Sequence, residues 1–315
     1  MTRKETRFTN FIRSRGVGAI IAVVSAWMTW RALPSLTPSG WLGFMSELSW
    51  GVNFAVLSAT AWAMIAINRQ FNILRTLSVF FAAYFLFITC STPFMSCFAG
   101  TSSVLAACMI FCMWILFTLY NEPHSNRRIF LIFAILSVGT LYDWKFLFFI
   151  PLFVIGLAQM RILRTKKIIA ALIGIFTPPW IVFGLDLMPI PQLPHIFFTP
   201  PTILLQSPEA LPFLCTVLLT MAIGFLLGSI NLLRILGFNA RARAYNGFLA
   251  LLGIYTGILA IINFTALPDY MTLLNACVAF QVGHFFRATA SRRGYILIVL
   301  LFAAYTSLYL WANLK

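Results

Sequence analysis

Acidic residues are rare in this 315-residue chain, which contains only seven, so the position of each one matters. Asp143 and Lys145 interrupt a long apolar stretch, and Glu47 lies beyond the first apolar segment. A carboxylate can act as the general base for an acceptor hydroxyl group, and a lysine can stabilise phosphate charge in a dry site. The candidate catalytic residues are Glu47 and Asp143, and the candidate substrate-binding residues are Tyr142, Trp144, Lys145 and Asp186.

The same residues also have a structural interpretation. Trp, Tyr and Lys favour the headgroup layer of a bilayer, so the group around Trp144 can be a simple interfacial anchor. Charges indicate function mainly where they lie far from the membrane edge, and Asp143 and Lys145 need not lie far from it. The sequence leaves both interpretations open.

The composition restricts the class of protein. Hydrophobic residues make up 61% of the chain and charged residues 9%, and the mean hydropathy is +0.93. A soluble domain of this composition would expose a large apolar surface and aggregate. The net charge of +15 comes from short basic clusters between apolar segments, which argues against a nucleic-acid partner. The chain is therefore predicted to be an integral membrane protein whose partner is the lipid bilayer.

No motif in the sequence indicates a cofactor or a metal. Glycine loops that bind phosphate or dinucleotides, HExxH and G-x-S-x-G are all missing. The six cysteines lack metal-ligand spacing. Cys90 and Cys97 flank Pro93, and whether they form a disulfide is left open. We therefore expect neither a metal nor a cofactor.

The apolar stretch at 129–160 decides the topology. As one helix it would be about 48 Å long, whereas the hydrocarbon core of a bilayer is about 30 Å thick. Arg127 and Arg128 precede the stretch, and four further bases follow it at 161–167. Because loops rich in Lys and Arg stay in the cytoplasm, both basic loops belong on the same side. The stretch is therefore predicted to form a helical hairpin with the Asp143 turn at its outer tip.

The same argument predicts eleven spans, with the N-terminus in the cytoplasm and the C-terminus in the periplasm. This arrangement places 19 of the 22 basic residues inside, all but Arg31, Lys145 and Lys315, and five of the seven acids outside. The predicted spans are 16–33, 50–67, 76–91, 102–120, 129–142, 146–160, 168–185, 210–233, 245–264, 271–286 and 295–313.

The predicted fold is thus all-α, a polytopic transmembrane bundle that forms a single domain over 1–315. Residues 1–15 are expected to be a basic cytoplasmic tail, since they carry five bases. Residues 186–209 are expected to be a proline-rich outer loop, which contains two acids and no Lys or Arg.

Glycine pairs four residues apart occur in the eighth and ninth spans, at Gly224 and Gly228 and at Gly253 and Gly257. Small residues at this spacing let helices approach closely. The two interpretations are a dimer face and packing of the two spans on each other.

Two further features lie inside predicted spans. Asn275, Gln281 and His284 are polar groups in an apolar helix, where they form either interhelical hydrogen bonds or part of a proton or substrate path. Pro178 and Pro179 cannot continue helical hydrogen bonding, so they are expected to kink the seventh span or, more commonly, to end it early.

The run from Phe80 to Leu185 resembles, in layout and texture, a family of uncharacterised multi-pass inner-membrane proteins of Bacteroidota. The matching parts are an apolar pair around Pro93, the sequence RRIFLIFAILSVGTLYDWKFLFFIPLFVIGLAQMRI, a basic turn, and IGIFTPPW. The resemblance implies a location in the bacterial inner (plasma) membrane and brings no established activity.

The same arrangement is similar to membrane glycosyltransferases of the C fold type. Such enzymes have a cytoplasmic N-terminus and act on polyprenyl-phosphate sugars through acidic residues on the outer face. The similar features here are Glu47 in the first outer loop, the short paired helices, and the outer Asp143 and Asp186. The first outer loop carries one acid rather than the paired acids that these enzymes usually have.

Two hypotheses for the function follow. The first is a non-catalytic scaffold or a component of an envelope assembly, with an envelope protein as partner, because no recognisable catalytic set is present. The second is an enzyme in which Glu47 and Asp143 face one outward cavity beneath 186–209 and handle a lipid-linked sugar. Outer acids also obey the ordinary charge bias of outer loops, so the sequence does not decide between the two.

Overall fold

The computed structural model describes residues 10, 14–35, 46–75, 78–97, 100–122, 125–187, 211–235, 237–288 and 292–313. Eleven main helices run through these residues: α1 (Arg15–Ala32), α2 (Ser46–Phe71), α3 (Phe80–Cys90), α4 (Thr101–Phe117), α5 (Asn126–Tyr142), α6 (Phe149–Gln159), α7 (Thr165–Gly184), α8 (Leu211–Ile235), α9 (Ala240–Ile262), α10 (Leu267–Ala288) and α11 (Arg292–Asn313). Short helical turns lie at Leu33–Ser35, Pro93–Ser96, Trp144–Phe148 and Phe264–Ala266.

The predicted all-α class is confirmed for this part of the chain. Each of the eleven apolar segments of the sequence corresponds to one main helix. Five described helices are long and apolar enough to cross a membrane: α2 from Glu47, α7, α8, α9, and α11 from Gly294. The apolar helices α3, α4 and α6 are shorter. These lengths and compositions support a helical bundle that belongs to a membrane.

The centre of the bundle is formed by α3 and α10. All eleven residues of α3 are buried, and α10 packs against α3, α4, α8 and α9. One continuous hydrophobic core contains side chains from Met28 in α1 to Tyr309 in α11. The described helices therefore share a single core.

The outer faces of the long helices are apolar as well. Trp180 in α7, Phe225 in α8 and Val299 in α11 expose 80%, 75% and 65% of their surface. Helices that are apolar on every face belong either in the interior of a large protein or in a membrane. Because these faces are exposed rather than covered by protein, they agree with a lipid environment.

Contacts between helix termini define two ends of the bundle. At the first, the Asp143 end, Thr101 at the start of α4 meets Asp143 directly after α5. At the second end, α5 and α7 begin side by side, and the Lys167 ammonium group donates to the Ser125 hydroxyl. We call this the basic end, because Arg127, Arg128 and Lys166 lie in the first turns of these two helices. The helices α4 and α5 are therefore antiparallel, whereas α5 and α7 run in the same direction.

The predicted break in the 129–160 stretch is present. The helix α5 ends at Tyr142, a short turn follows, and α6 begins at Phe149. Gly139, near the end of α5, leaves the space that this turn needs, since a Cβ atom there would overlap the ring of Phe146. Phe146 is fully buried, so the ring closes the turn against α5 from inside the bundle.

The expectation that Pro178 and Pro179 end the seventh span early is wrong, because α7 continues through both prolines to Gly184. Proline lacks a backbone N–H, so Pro179 leaves the carbonyl of Ile175 without its helical donor. The Ser137 hydroxyl of α5 donates to that carbonyl at 2.6 Å. A side chain from the neighbouring helix thus replaces the missing hydrogen bond, which is the usual way that proline is tolerated in membrane helices.

Close packing of α5 on α7 depends on Gly174. A Cβ atom there would lie 2.6 Å from the Phe130 carbonyl oxygen and 3.1 Å from the Cβ atom of Phe133. Both contacts involve atoms near the backbone that cannot rotate away. Only glycine therefore allows α5 and α7 to approach closely enough for the Ser137 hydrogen bond.

We predict that Gly174→Ala destabilises the protein by about 1–3 kcal/mol, because the added methyl group must push α7 away from α5. The matched control is Gly184→Ala in the same helix, where an added Cβ atom meets nothing within 4 Å. Thermal unfolding in detergent measures both variants. Equal stability of the two would contradict the proposed packing.

Candidate functional site

Three charged side chains meet at the Asp143 end of the bundle. The Lys145 Nζ atom donates to Oδ2 of Asp143 at 2.8 Å and lies 2.9 Å from Oδ2 of Asp269. The Thr101 hydroxyl donates to the same Asp143 oxygen at 2.9 Å. We call Asp143, Lys145 and Asp269 the charged triad. It joins the α5–α6 turn to the starts of α4 and α10.

The local sequence explains why Asp143 and Lys145 meet. Asp143 is the N-cap of the short helix Trp144–Phe148, and its Oδ1 atom accepts the Lys145 backbone N–H at 3.0 Å. A capping aspartate satisfies a backbone donor that the first turn of a helix leaves unpaired. The ring of Trp144 packs edge-on against that of Phe148. One carboxylate therefore both caps the turn and holds the lysine.

The triad is largely shielded from solvent and carries a net negative charge. The side chains of Asp143, Lys145 and Asp269 are 12%, 14% and 28% exposed. Burial alone lowers the pKa of Lys145, but the hydrogen bonds and the charges of the two aspartates outweigh it, so the pKa of Lys145 lies above its ordinary value. Lys145 is consequently a fixed cation whose charge is already balanced by two carboxylates.

Two buried polar groups lie beside the triad and close to each other. They are the hydroxyl group of Tyr270, which follows Asp269, and the side-chain amide of Asn263 at the end of α9. Tyr270 is 0% exposed and Asn263 is 6% exposed. The two groups interact with each other without forming a well-aligned hydrogen bond, so the region beside the two acids is polar.

The other predicted site residues take no part in the ion pairs of the triad. Glu47 is exposed in the first turn of α2, and no described hydrogen bond or ion pair joins it to Asp143. Tyr142 is 49% exposed at the end of α5. Trp144 is half-buried, and its ring centroid lies 5.9 Å from Lys145 Nζ.

Asp186 has a recognisable structural role. It is exposed just after α7 and has a left-handed backbone conformation with φ of 52°. The backbone N–H of Leu187 donates to the carbonyl of Val182, which closes the end of the helix. This pattern is the common Schellman ending, in which the residue after the cap is left-handed. In this position Asp186 terminates a helix.

Some residues of the predicted site lie outside the part of the chain that the structure describes. Residues 188–209 of the proline-rich loop lie outside the described residues, as does most of 1–15. Cys90 and Cys97 are buried free thiols, so the structure contains no disulfide between them. Among the described residues no cluster of His, Cys, Asp and Glu is arranged to hold a metal ion.

The interhelical interpretation of the polar groups in α10 is confirmed. Each of them forms a hydrogen bond with a side chain on a different neighbouring helix. The pairs are Asn275 with Thr89 of α3, Gln281 with Asn231 of α8, and His284 with Asn246 of α9. These groups therefore hold α10 in the centre of the bundle.

Sequence reasoning missed two members of the site, Asp269 and Thr101. Charge segregation predicts only that Asp269 is one of the five outer acids, on the side of Asp143 and Lys145, and nothing in the sequence pairs residues more than 120 positions apart. Thr101 carries no signal, since hydroxyl side chains are common in helices of membrane proteins. Thr101 meets Asp143, and Lys145 meets Asp269, only because α4, α5 and α10 pack together.

No protein-family model, no curated protein and no solved structure matches this chain. The site is therefore interpreted from its own geometry.

We predict that Lys145→Met destabilises the protein by about 1–3 kcal/mol, because it leaves two carboxylates facing each other without their cation. This loss is smaller than the ~3–5 kcal/mol for breaking a fully buried pair, since the triad is partly exposed. Thermal unfolding in detergent gives the measurement. Lys166→Met, which changes an exposed lysine outside any described ion pair, is the control and should stay within about 0.5 kcal/mol.

The triple variant Lys145→Met, Asp143→Asn, Asp269→Asn removes all three charges and should recover part of that stability. If Lys145→Met alone is as stable as the unaltered protein, the triad does not tie the helices together.

Proposed function

We propose that the chain is a multi-pass protein of the bacterial inner membrane in which α1 to α11 all cross the bilayer. The N-terminus then lies in the cytoplasm and the C-terminus in the periplasm. The described bases other than Arg31 and Lys145 lie toward the basic end, which supports a cytoplasmic position for that end. The three members of the charged triad lie at the opposite, periplasmic end.

The short helix α3 is compatible with this topology. Its eleven residues rise only about 16 Å at ~1.5 Å per residue, which is roughly half of the hydrocarbon core. Because all of α3 is buried in protein, its ends and the turn at Pro93–Ser96 need no contact with lipid. Irregular backbone at membrane depth is tolerated where protein surrounds it.

The proposed role is that of a non-catalytic scaffold or component of an envelope assembly. The supporting observation is that the charged triad is engaged in holding helices together. Lys145 already faces two carboxylates, so the triad as a whole is negative and would repel a phosphate group. Asp143 likewise accepts hydrogen bonds from Thr101 and from Lys145 through both carboxylate oxygens.

A C-fold-type glycosyltransferase activity on a polyprenyl-phosphate-linked sugar is the second candidate. It is favoured by the buried polar side chains of Tyr270 and Asn263, which lie beside the acids at the proposed outer face. In such an enzyme Asp143 would take the proton of the acceptor hydroxyl, and Glu47 would need to approach the same substrate. The resemblance to Bacteroidota inner-membrane proteins is compatible with either role.

The topology predicts the location of reporters fused at four positions. Fusions at Pro123, Lys166 and Ala240 should report cytoplasm, and a fusion at Leu193 should report periplasm. The Lys166 fusion is the most informative, because it follows the α5–α6 turn. A periplasmic signal there would mean that the stretch crosses once, and the eleven-span topology would be wrong.

The scaffold role predicts a stable complex after purification in mild detergent, either with an envelope protein or with a second copy. Cross-linking and size-exclusion chromatography detect it. A monomer that transfers sugar from a polyprenyl phosphate, and that loses this activity in Asp143→Asn, would instead establish the enzyme. Glu122→Gln serves as the matched control, because Glu122 lies beside Ser125 at the basic end of the bundle, opposite the triad.

A further inference from the structure

A groove of about 310 Å³ opens between α8, α9 and α10, away from the charged triad. Its walls are almost entirely apolar, and Gln281 and Ser229 are the polar side chains among the residues that line it. Phe225 and Ile261 on its rim are 75% and 58% exposed. The groove is therefore an apolar slot that faces the surroundings of the bundle.

The glycine pairs of α8 and α9 explain why the slot exists. A Cβ atom at Gly224 would lie 2.8 Å from Val278, and one at Gly253 would lie 3.2 Å from Cys277, so both glycines are used in packing on α10. At Gly228 and Gly257 an added Cβ atom meets nothing within 4 Å. The first glycine of each pair thus packs on α10, and none of the four glycines serves the predicted packing of the two spans on each other. The second glycine of each pair lines empty space.

Two arginines lie where the slot reaches the basic end. The guanidinium group of Arg234 in α8 lies 5.8 Å from the ring centroid of Phe285, which is one turn beyond the slot-lining Gln281 on α10. Arg243 precedes the slot-lining Ala250 by seven residues on α9, and therefore lies on the same helix face. Both side chains are exposed, and the ion pairs of the described residues involve neither of them.

We propose that this slot binds one acyl chain of an anionic phospholipid whose phosphate group lies between Arg234 and Arg243. An apolar slot with cations at its cytoplasmic end is complementary to such a lipid in both polarity and charge. The lining residues of α8 extend from Met221 to Leu232. This distance is about 16 Å at ~1.5 Å per residue. On α9 the lining residues continue to Ile261, near the end of that helix that is opposite the basic end, so the slot offers length for an acyl chain.

The charge beside the slot favours a lipid over a helix. The glycine pairs alone would suggest a helix from a second copy. However, a symmetric pair of copies would bring the same exposed arginines of both chains together, whereas the phosphate group of a lipid balances them. The inference rests on the proposed topology only in placing the two arginines in the cytoplasmic leaflet, which the reporter fusions test separately.

Native mass spectrometry of the full chain, titrated with phosphatidylglycerol or with phosphatidylcholine of the same acyl chains, tests the proposal. The unaltered protein should retain phosphatidylglycerol preferentially. The variant Gly228→Leu, Gly257→Leu fills the slot and should lose at least tenfold in affinity for phosphatidylglycerol. Gly51→Leu is the matched control, because Gly51 in α2 is equally unobstructed but lies outside the slot.

Arg234→Gln and Arg243→Gln should each weaken phosphatidylglycerol binding about fivefold and leave phosphatidylcholine binding unchanged, as expected for one lost cation near an anionic headgroup. Arg69→Gln, at the basic end of α2 and away from the slot, is the control. These arginines are exposed, so their variants test the proposal even if the leucine variants do not fold.

Three results would overturn the proposal. The first is phosphatidylglycerol affinity that is unchanged when both glycines are replaced by leucine. The second is equal binding of the two lipids by the unaltered protein. The third is a dimer of the unaltered protein that the leucine variants convert to monomers, which would assign the slot to a second copy of the chain. The first two results leave the scaffold role untouched, because its test is the complex isolated in mild detergent. The dimer of the third result would overturn the lipid proposal and at the same time be one of the complexes that the scaffold role predicts.

Discussion

The polar groups inside this bundle depend on partners within the protein, because hydrocarbon offers neither donors nor acceptors. This constraint explains where the polar side chains lie. The hydrogen bond from Ser137 to the Ile175 carbonyl lets α7 continue past two prolines, and the contact between Asn231 and Gln281 fixes α8 on α10. The charged triad follows the same rule. Lys145 contacts the carboxylates of both Asp143 and Asp269, and Asp143 also accepts a hydrogen bond from Thr101.

Helix packing depends on a second constraint, which is how closely two backbones can approach. Hydrophobic burial does not drive helices together within lipid, so small residues and interhelical hydrogen bonds determine the contacts. Gly174 and Gly139 lie where a side chain would strike a neighbouring element, and both are essential to the α5–α6–α7 region. Gly228 and Gly257 lie where nothing would be struck. The same residue type therefore closes the bundle in one region and leaves an open slot in another.

These constraints also shape the functional conclusion. A catalytic acid needs a proton to accept and a substrate within reach, whereas Asp143 is occupied by Thr101, by the Lys145 side chain and by the backbone of its own turn. The triad consequently suits a structural tie at the proposed outer face. The basic end has a different character, because Arg234 and Arg243 are exposed and adjoin an apolar slot. The two ends thus differ in kind, one closed by internal ion pairs and the other open toward anionic lipid.

The sequence by itself determined the class of the protein, the position of the eleven helices and the break at Asp143. Each of these depends on local quantities, namely the length of an apolar run, its charges and the residues that flank it. Tertiary structure decided the rest. The continuation of α7 through Pro179 depends on a hydroxyl group from another helix, and the partner of Lys145 at Asp269 comes from a segment more than 120 residues away. No local pattern specifies such contacts, because they arise only when the packing of all the helices brings the two groups together.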